Sequence, residues 1–244
     1  MKNKFRRGFI VYKGESIIDG GPIVVVATLK SANRKTGPMV QTWIIRSDRN
    51  PIRALKAGTD RSVCGNCRHR GDGTGKNRSC YVNLGQAPLQ VYKSYRKGLY
   101  PKASQADIDR LVSNRKVRFG AYGDPAAIPF EIWESIARKA IGWTGYTHQW
   151  KECDKRFNQL VMASADSPEE KQLANQLGYR TFRVRRNGEP LINDEVNCPA
   201  TPEGGNKSTC IRCNLCNGTM FDRRKVSNIR SVSLTVHGAG AGKF

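Results

Sequence analysis

KVRFGAYGDPAAIPFEIWESIARKAIGWTGYTHQW, residues 116–150, contains one complete strand–helix–strand unit. Lys116 to Tyr122 reads as a strand and is closed by Gly123-Asp124-Pro125. A helix follows from Pro129 to Ala140, with Trp133, Ile136, Ala137 and Ala140 at helical spacing, and Trp143 to Gln149 returns as a strand. The same alternation continues downstream. Leu160 to Ser164 is a strand, Ser167-Pro-Glu-Glu170 is a capping box opening a helix to Leu177, Gly178 is its C-cap, and Tyr179 to Arg185 is a further strand. Asn187-Gly188 supplies a tight turn, and Ile229 to Val236 is the last strand.

Upstream, Phe9 to Tyr12, Ile23 to Leu29 and Val40 to Ile45 read as three strands of a small antiparallel unit over residues 1–58. Between them and the quoted unit lie a strand, Cys80 to Leu84, and two helices. The first runs from Pro88 to Lys97 and stops at Gly98; the second, Ser104 to Ser113, has Ser104 as N-cap. Repeated βα alternation predicts an α/β fold with a mostly parallel βα-repeat sheet or partial (βα) barrel over residues 59–244. The N-terminal β unit packs on it, cysteine-rich metal-binding loops extend from it, and the whole forms one compact domain. Ligands of such sheets bind outside the carboxyl ends of the strands. Cys80, Gly123-Asp124-Pro125, His148, Ser164-Ala-Asp166 and His237 fall at those ends, and Asp124, His148 and His237 are the candidates for chemistry.

Eight cysteines in 244 residues are mostly clustered. Cys198, Cys210, Cys213 and Cys216 share CPATPEGGNKSTCIRCNLC, whose last three follow C-x2-C-x2-C, the run that grips one face of a bacterial-type iron–sulfur cluster. Zinc takes four thiolates too, usually as two separated C-x2-C pairs. Cys64, Cys67 and Cys80 form a second group. With His69 or the solitary Cys153 they make a tetrahedral zinc set; alone they hold a four-iron cluster by three corners. Clustered thiols, a basic start without an apolar leader, and a longest apolar run of only Ile23 to Leu29 predict a reducing cytoplasmic setting and no membrane span.

Forty-two Lys and Arg against 20 Asp and Glu give a net charge of +22, which calls for an anionic partner. Nucleic acid, DNA or RNA, is the leading one, because a phosphate backbone releases condensed counterions to clustered cations. An acidic host protein is the other. Candidate phosphate contacts are Arg34 and Lys35 in a basic loop, Arg46 and Arg49 after the third strand, Lys93, Arg96 and Lys97 on a helix, and Arg223, Arg224 and Lys225 beside the cysteines. Gly240-Ala-Gly-Lys243 is no P-loop, since neither a Ser or Thr nor a helix follows its lysine.

The succession of Cys64, Cys67 and Cys80, a strand leading to Gly120-Ala-Tyr-Gly-Asp-Pro125, and successive βα units resembles the partial barrels of radical S-adenosylmethionine enzymes. The resemblance implies a 4Fe-4S cluster on Cys64, Cys67 and Cys80, with Gly123, Asp124 and Pro125 standing where that superfamily touches the methionyl amine. The superfamily's usual cysteine spacing is C-x3-C-x2-C, whereas here it is C-x2-C-x12-C. CxxCxHR, SCYVNLGQAP, GAYGDPAAIP, GYTHQW and the CPA…TCxxCxxC…HG ending together also resemble an uncharacterised family of bacteriophage and prophage proteins, over most of residues 20 to 240. That likeness implies a phage-encoded protein in the bacterial host cytoplasm and transfers no activity. Three functions follow: a metal-stabilised nucleic-acid-binding protein, a radical-type iron–sulfur enzyme acting on nucleic acid or its precursors, and an inhibitor or adaptor that docks on an acidic host protein.

Overall fold

The computed structural model describes residues 4–220, 230–238 and 240–244; Arg223, Arg224 and Lys225 lie outside them. Among the described residues the strands are β1 (Phe9–Glu15), β2 (Pro22–Thr28), β3 (Val40–Arg46), β4 (Lys116–Tyr122), β5 (Gly142–Thr147), β6 (Met162–Ala165), β7 (Thr181–Arg185), β8 (Glu195–Asn197) and β9 (Ser231–Thr235). They form one sheet in the order β1-β2-β3-β4-β5-β6-β7-β9-β8. β1, β2 and β3 are antiparallel to one another, and every pairing from β3 onward is parallel. The protein is therefore α/β with a mostly parallel sheet, and the antiparallel N-terminal strands continue that sheet through the β3–β4 pairing.

From β3 to β7 each new parallel strand is added on the same side of its predecessor. Crossovers of one hand then fall on one face of the sheet, unlike a doubly wound sheet whose order reverses. The helix α5 (Phe130–Lys139) buries Phe130, Trp133, Ile136 and Ala137. Trp133 lies against Phe119 of β4 with ring centroids 4.8 Å apart, and its indole N–H donates to the Pro125 carbonyl at 2.8 Å. Strand alternation sends the neighbours of Phe119 the other way. Arg118, Gly120 and Tyr122 of β4, Thr144 and Tyr146 of β5, Ser164 of β6, Phe182 and Val184 of β7, and Val232 and Leu234 of β9 all line one cavity.

The shorter elements follow local rules. α1 (Pro51–Lys56) is capped by the Asn50 side chain, and α2 (Arg61–Cys64) ends at Gly65. α3 (Ala87–Arg96) has Pro88 in its first turn. α4 (Gln105–Val112) carries a reciprocal capping box between Ser104 and Asp107, and buries Ile108, Leu111 and Val112. In α6 (Pro168–Gln176) the Ser167 hydroxyl accepts from the Glu170 amide, but the Glu170 carboxylate accepts from the Asp166 amide instead of closing the box. No helix among the described residues is long and apolar enough to cross a membrane.

The expected strand Cys80–Leu84 is not a strand. Arg78 turns back over it and donates to the carbonyls of Cys80 at 3.1 Å and Val82 at 2.7 Å, so one guanidinium satisfies acceptors that a ladder partner would have taken. β8 escapes the sequence reading because it is three residues long and held by an ion pair. Arg183 of β7, fully buried, makes a bidentate contact with the equally buried Glu195 at 2.7 and 2.8 Å, and also pairs with Glu189. Removing one partner strands a buried charge. Glu195→Ala is expected to lose about 3–5 kcal/mol of unfolding free energy in urea titration.

Candidate metal centre

The Cys64-Gly65-Asn66-Cys67 knuckle is fixed from below and from the side. Arg70 makes a bidentate contact with buried Asp60 at 2.6 and 3.0 Å, and donates to the carbonyls of Gly65 and Gly58, each at 3.1 Å. Gln149, just past β5, donates to the Cys64 carbonyl and accepts from the Asn66 amide, both at 3.2 Å. Gly65 has φ +57°, and a Cβ there would sit 2.3 Å from the Gln149 amide, so only glycine serves at this position. The Cys80 amide bonds the His69 carbonyl at 3.1 Å, which brings the third thiol to the same loop.

The second group is held by different strands. The Cys198 amide donates to Ser233 of β9 at 2.8 Å, and Cys210 begins a single turn, α7 (Cys210–Cys213), whose first amide donates to the Lys35 carbonyl at 2.9 Å. Asn214 ends the turn in the left-handed region. The Cys216 carbonyl accepts from the Gly145 amide at 2.8 Å. Cys64, Cys67 and Cys80 and all four of Cys198, Cys210, Cys213 and Cys216 line the one cavity, whose volume is about 320 Å³. Cys153 does not; its thiol lies 3.5 Å from the Tyr179 hydroxyl.

Burial pushes five of these thiols up. Cys64 is held well above the usual thiol value by burial and then by Cys67, Asp60 and Cys80; Cys216 is pushed up to about 12 by burial. Cys80, Cys210 and Cys213 shift the same way for the same first cause. Their thiolates are therefore unfavourable without a cation to hold them.

Beside Cys67 lies a polar cluster at the carboxyl ends of β5 and β6. His69 shares hydrogen bonds with Ser79 at 2.8 Å and with Asp166 at 3.0 Å, and His148 Nε2 lies 3.6 Å from the other Asp166 oxygen. Burial opposes protonation of His148, yet Cys67 and Asp166 outweigh it and hold the imidazole well above its usual value. Burial opposes ionisation of Asp166, yet the neighbouring His148 and the hydrogen-bonded His69 outweigh it and hold the carboxyl below the usual carboxylate range. Among the described residues these three are the set of His, Cys, Asp or Glu ligand atoms lying within 4.8 Å of one another.

Asp124 follows β4, the second strand of the parallel series, and is buried. Its carboxylate accepts from Thr147 at 2.7 Å, the Ala126 amide at 3.0 Å and the His148 amide at 2.8 Å. It ties the end of β4 to the end of β5, and at Gly123, φ +87°, a Cβ would fall 2.6 Å from the Ile44 side chain and 2.9 Å from that of Val63, so the position requires glycine. Gly123 and Asp124 line the cavity. Of the other expected residues, His237 stands exposed at the rim, stacked on Tyr81 at 5.7 Å. Arg46 is engaged with Asp48 and Ser62. Arg34, Lys93, Arg96 and Lys97 are exposed, Arg49 and Lys35 half-buried, and Lys35 lines the cavity. From sequence, Arg118, Tyr146 and Gln149 read as ordinary strand residues; the one local signal is the place of Arg118 between Val117 and Phe119.

Compared with known proteins, no family model, curated protein or solved structure matches the chain.

Asp124→Asn turns one acceptor oxygen into a donor facing other donors. It is expected to cost about 2–3 kcal/mol in urea titration. A loss below about 0.5 kcal/mol would show that the ends of β4 and β5 do not depend on this carboxylate.

Proposed function

We propose that this chain is an iron–sulfur enzyme of the radical S-adenosylmethionine type, phage-encoded, that acts on nucleic acid or its precursors. One observation carries the reading: two cysteine groups far apart in sequence face a single cavity on the open face of a parallel sheet wound in one direction. Three thiols, Cys64, Cys67 and Cys80, suit a 4Fe-4S cluster held at three corners, and Cys198, Cys210, Cys213 and Cys216 suit a fully ligated one. The chemistry such a group supplies when bound is one-electron transfer.

The chain's own residues complete the site. Asp166 orients His69 by a hydrogen bond at 3.0 Å, while its charge, 3.6 Å from His148 Nε2, favours the imidazolium beside Cys67. Gly120 to Asp124 line the cavity beside the Cys64 loop, the placement expected for S-adenosylmethionine; Asp124, with its carboxylate spent internally, acts as a positioning residue there. A +22 chain concentrates anionic substrates at its surface.

A second reading, a zinc-stabilised nucleic-acid-binding protein, is favoured by the tight His69, His148 and Asp166 set beside Cys67. An adaptor for an acidic host protein has only the charge in its favour and leaves the cavity without a use.

Protein purified without oxygen is expected to absorb in the visible and to carry iron and sulfide at about four irons per cysteine group. Cys67→Ser and Cys213→Ser should each remove about half of that iron. Zinc without sulfide would overturn the enzyme in favour of the binding reading.

Because the thiols are raised by burial, loading the metal-free protein must displace protons. Calorimetry of metal loading in buffers of different ionisation enthalpy should show about one proton released per ligating cysteine. It should also show apparent affinity falling as pH is lowered.

A further inference from the structure

Arg118 projects from the middle of β4 into the cavity, 9 % exposed. A guanidinium keeps its charge at any working pH, so burying one without a counter-ion is costly. Among the described residues no carboxylate pairs with Arg118. Its Nη2 donates to the Tyr81 hydroxyl at 2.7 Å, its plane lies over the Tyr146 ring at 5.9 Å, and its Nε has no hydrogen-bond partner. Tyr81 follows Cys80 and Tyr146 neighbours Cys216, so the cation sits between the two cysteine groups.

The surroundings add to the excess. Lys35 and Arg78 line the same cavity, and neither forms a salt bridge to a carboxylate among the described residues. The two cavity-lining carboxylates are already spent, Asp60 on Arg70 and Asp124 on its hydrogen bonds. Arg118, Lys35 and Arg78 are three cations without a carboxylate partner among the described residues, with Cys210 and Cys216 the groups that could offset Arg118, and such a set matches a phosphate monoester better than a singly charged carboxylate. Aromatic faces stand on the same walls, Tyr146 against Phe182 at 4.2 Å and Tyr81 stacked on His237 at 5.7 Å. The Asn214 amide oxygen, buried without a partner, leaves an acceptor for a ligand N–H or O–H. A cavity of about 320 Å³ has the size of a small-molecule site and excludes a duplex.

We infer that Arg118 is the substrate-anchoring residue of this cavity, and that it receives the phosphate of a nucleotide whose base lies against the aromatic walls between the two cysteine groups. This rests on the enzyme reading above and narrows its substrate to a mononucleotide, a precursor and not a polymer. The Tyr81 hydroxyl fixes the guanidinium plane, and Nε is left to meet a phosphate oxygen.

Protein purified without oxygen is titrated by calorimetry with adenosine and guanosine 5′-monophosphates, with the matching nucleosides, and with acetate as competitor. At least one monophosphate is expected to bind about ten- to hundredfold more tightly than its nucleoside. Arg118→Met should erase that difference. Tyr81→Phe, at an exposed position that tolerates the change, should shrink it about fivefold, and stands in if Arg118→Met does not fold. Equal binding of nucleotide and nucleoside, displacement by acetate at matched concentration, or an unchanged difference in both variants overturns the inference. So does an Arg118→Met protein that loses iron while keeping the phosphate preference, because Arg118 then serves only as counter-charge to Cys210 and Cys216. Iron and sulfide measured on the same samples separate the two claims: a phosphate preference in iron-free zinc protein sinks the enzyme reading and leaves the anchor standing.

Discussion

The parallel strands can bury only one face under helices, because each crossover returns on the same side as the sheet advances strand by strand. Everything distinctive about this protein lies on the face left over. Phe119 and Trp143 spend their bulk on the helical side, while Arg118 and Thr144, one position away in the chain, and Tyr146, two beyond Thr144, turn toward the cavity. Apolar packing on the outside thus supplies the rigidity against which polar and thiol-bearing groups are held inside.

The two cysteine groups are anchored in different ways. The first hangs on side chains: Arg70, Asp60 and Gln149 grip the backbone of the knuckle, so its shape survives independently of what the sulfurs hold. The second hangs on backbone bonds to three separate segments, at Lys35, Gly145 and Ser233, and its loop has a single helical turn of its own. On the function proposed above, a bound metal would contribute more to the order of the second loop than to that of the first.

Much of this architecture was legible because it rests on local rules. Ile23 to Leu29 could be little but a buried strand, and the Ser104 and Ser167 caps placed two helices to within a residue. What escaped depends on contacts remote in sequence. Cys80 to Leu84 has strand-like composition, yet Arg78 takes its carbonyls. Asp124 looks like a ligand group from its place at a strand end, yet Thr147 and the His148 amide consume it. Arg118 was one cation among 42 until the strand pairing showed which way it points and that no described carboxylate answers it. Spacing marked the cysteines as groups but could not place both groups on one cavity, since that is a property of how the sheet winds.

The second cysteine group also sets an order of assembly. Its loop cannot dock until β5 has paired with β4 and β9 has reached the far side of β7, because Gly145 and Ser233 are two of its three backbone anchors. Cys64 and Cys67 leave the ribosome long before that docking site exists, so the nascent chain carries one set of thiols in place while the other is still unmade. A cell that produces this protein must keep those early thiols from oxidising and pairing with the late ones. Faulty maturation would then show as mispaired disulfides between the two groups within a nearly complete chain.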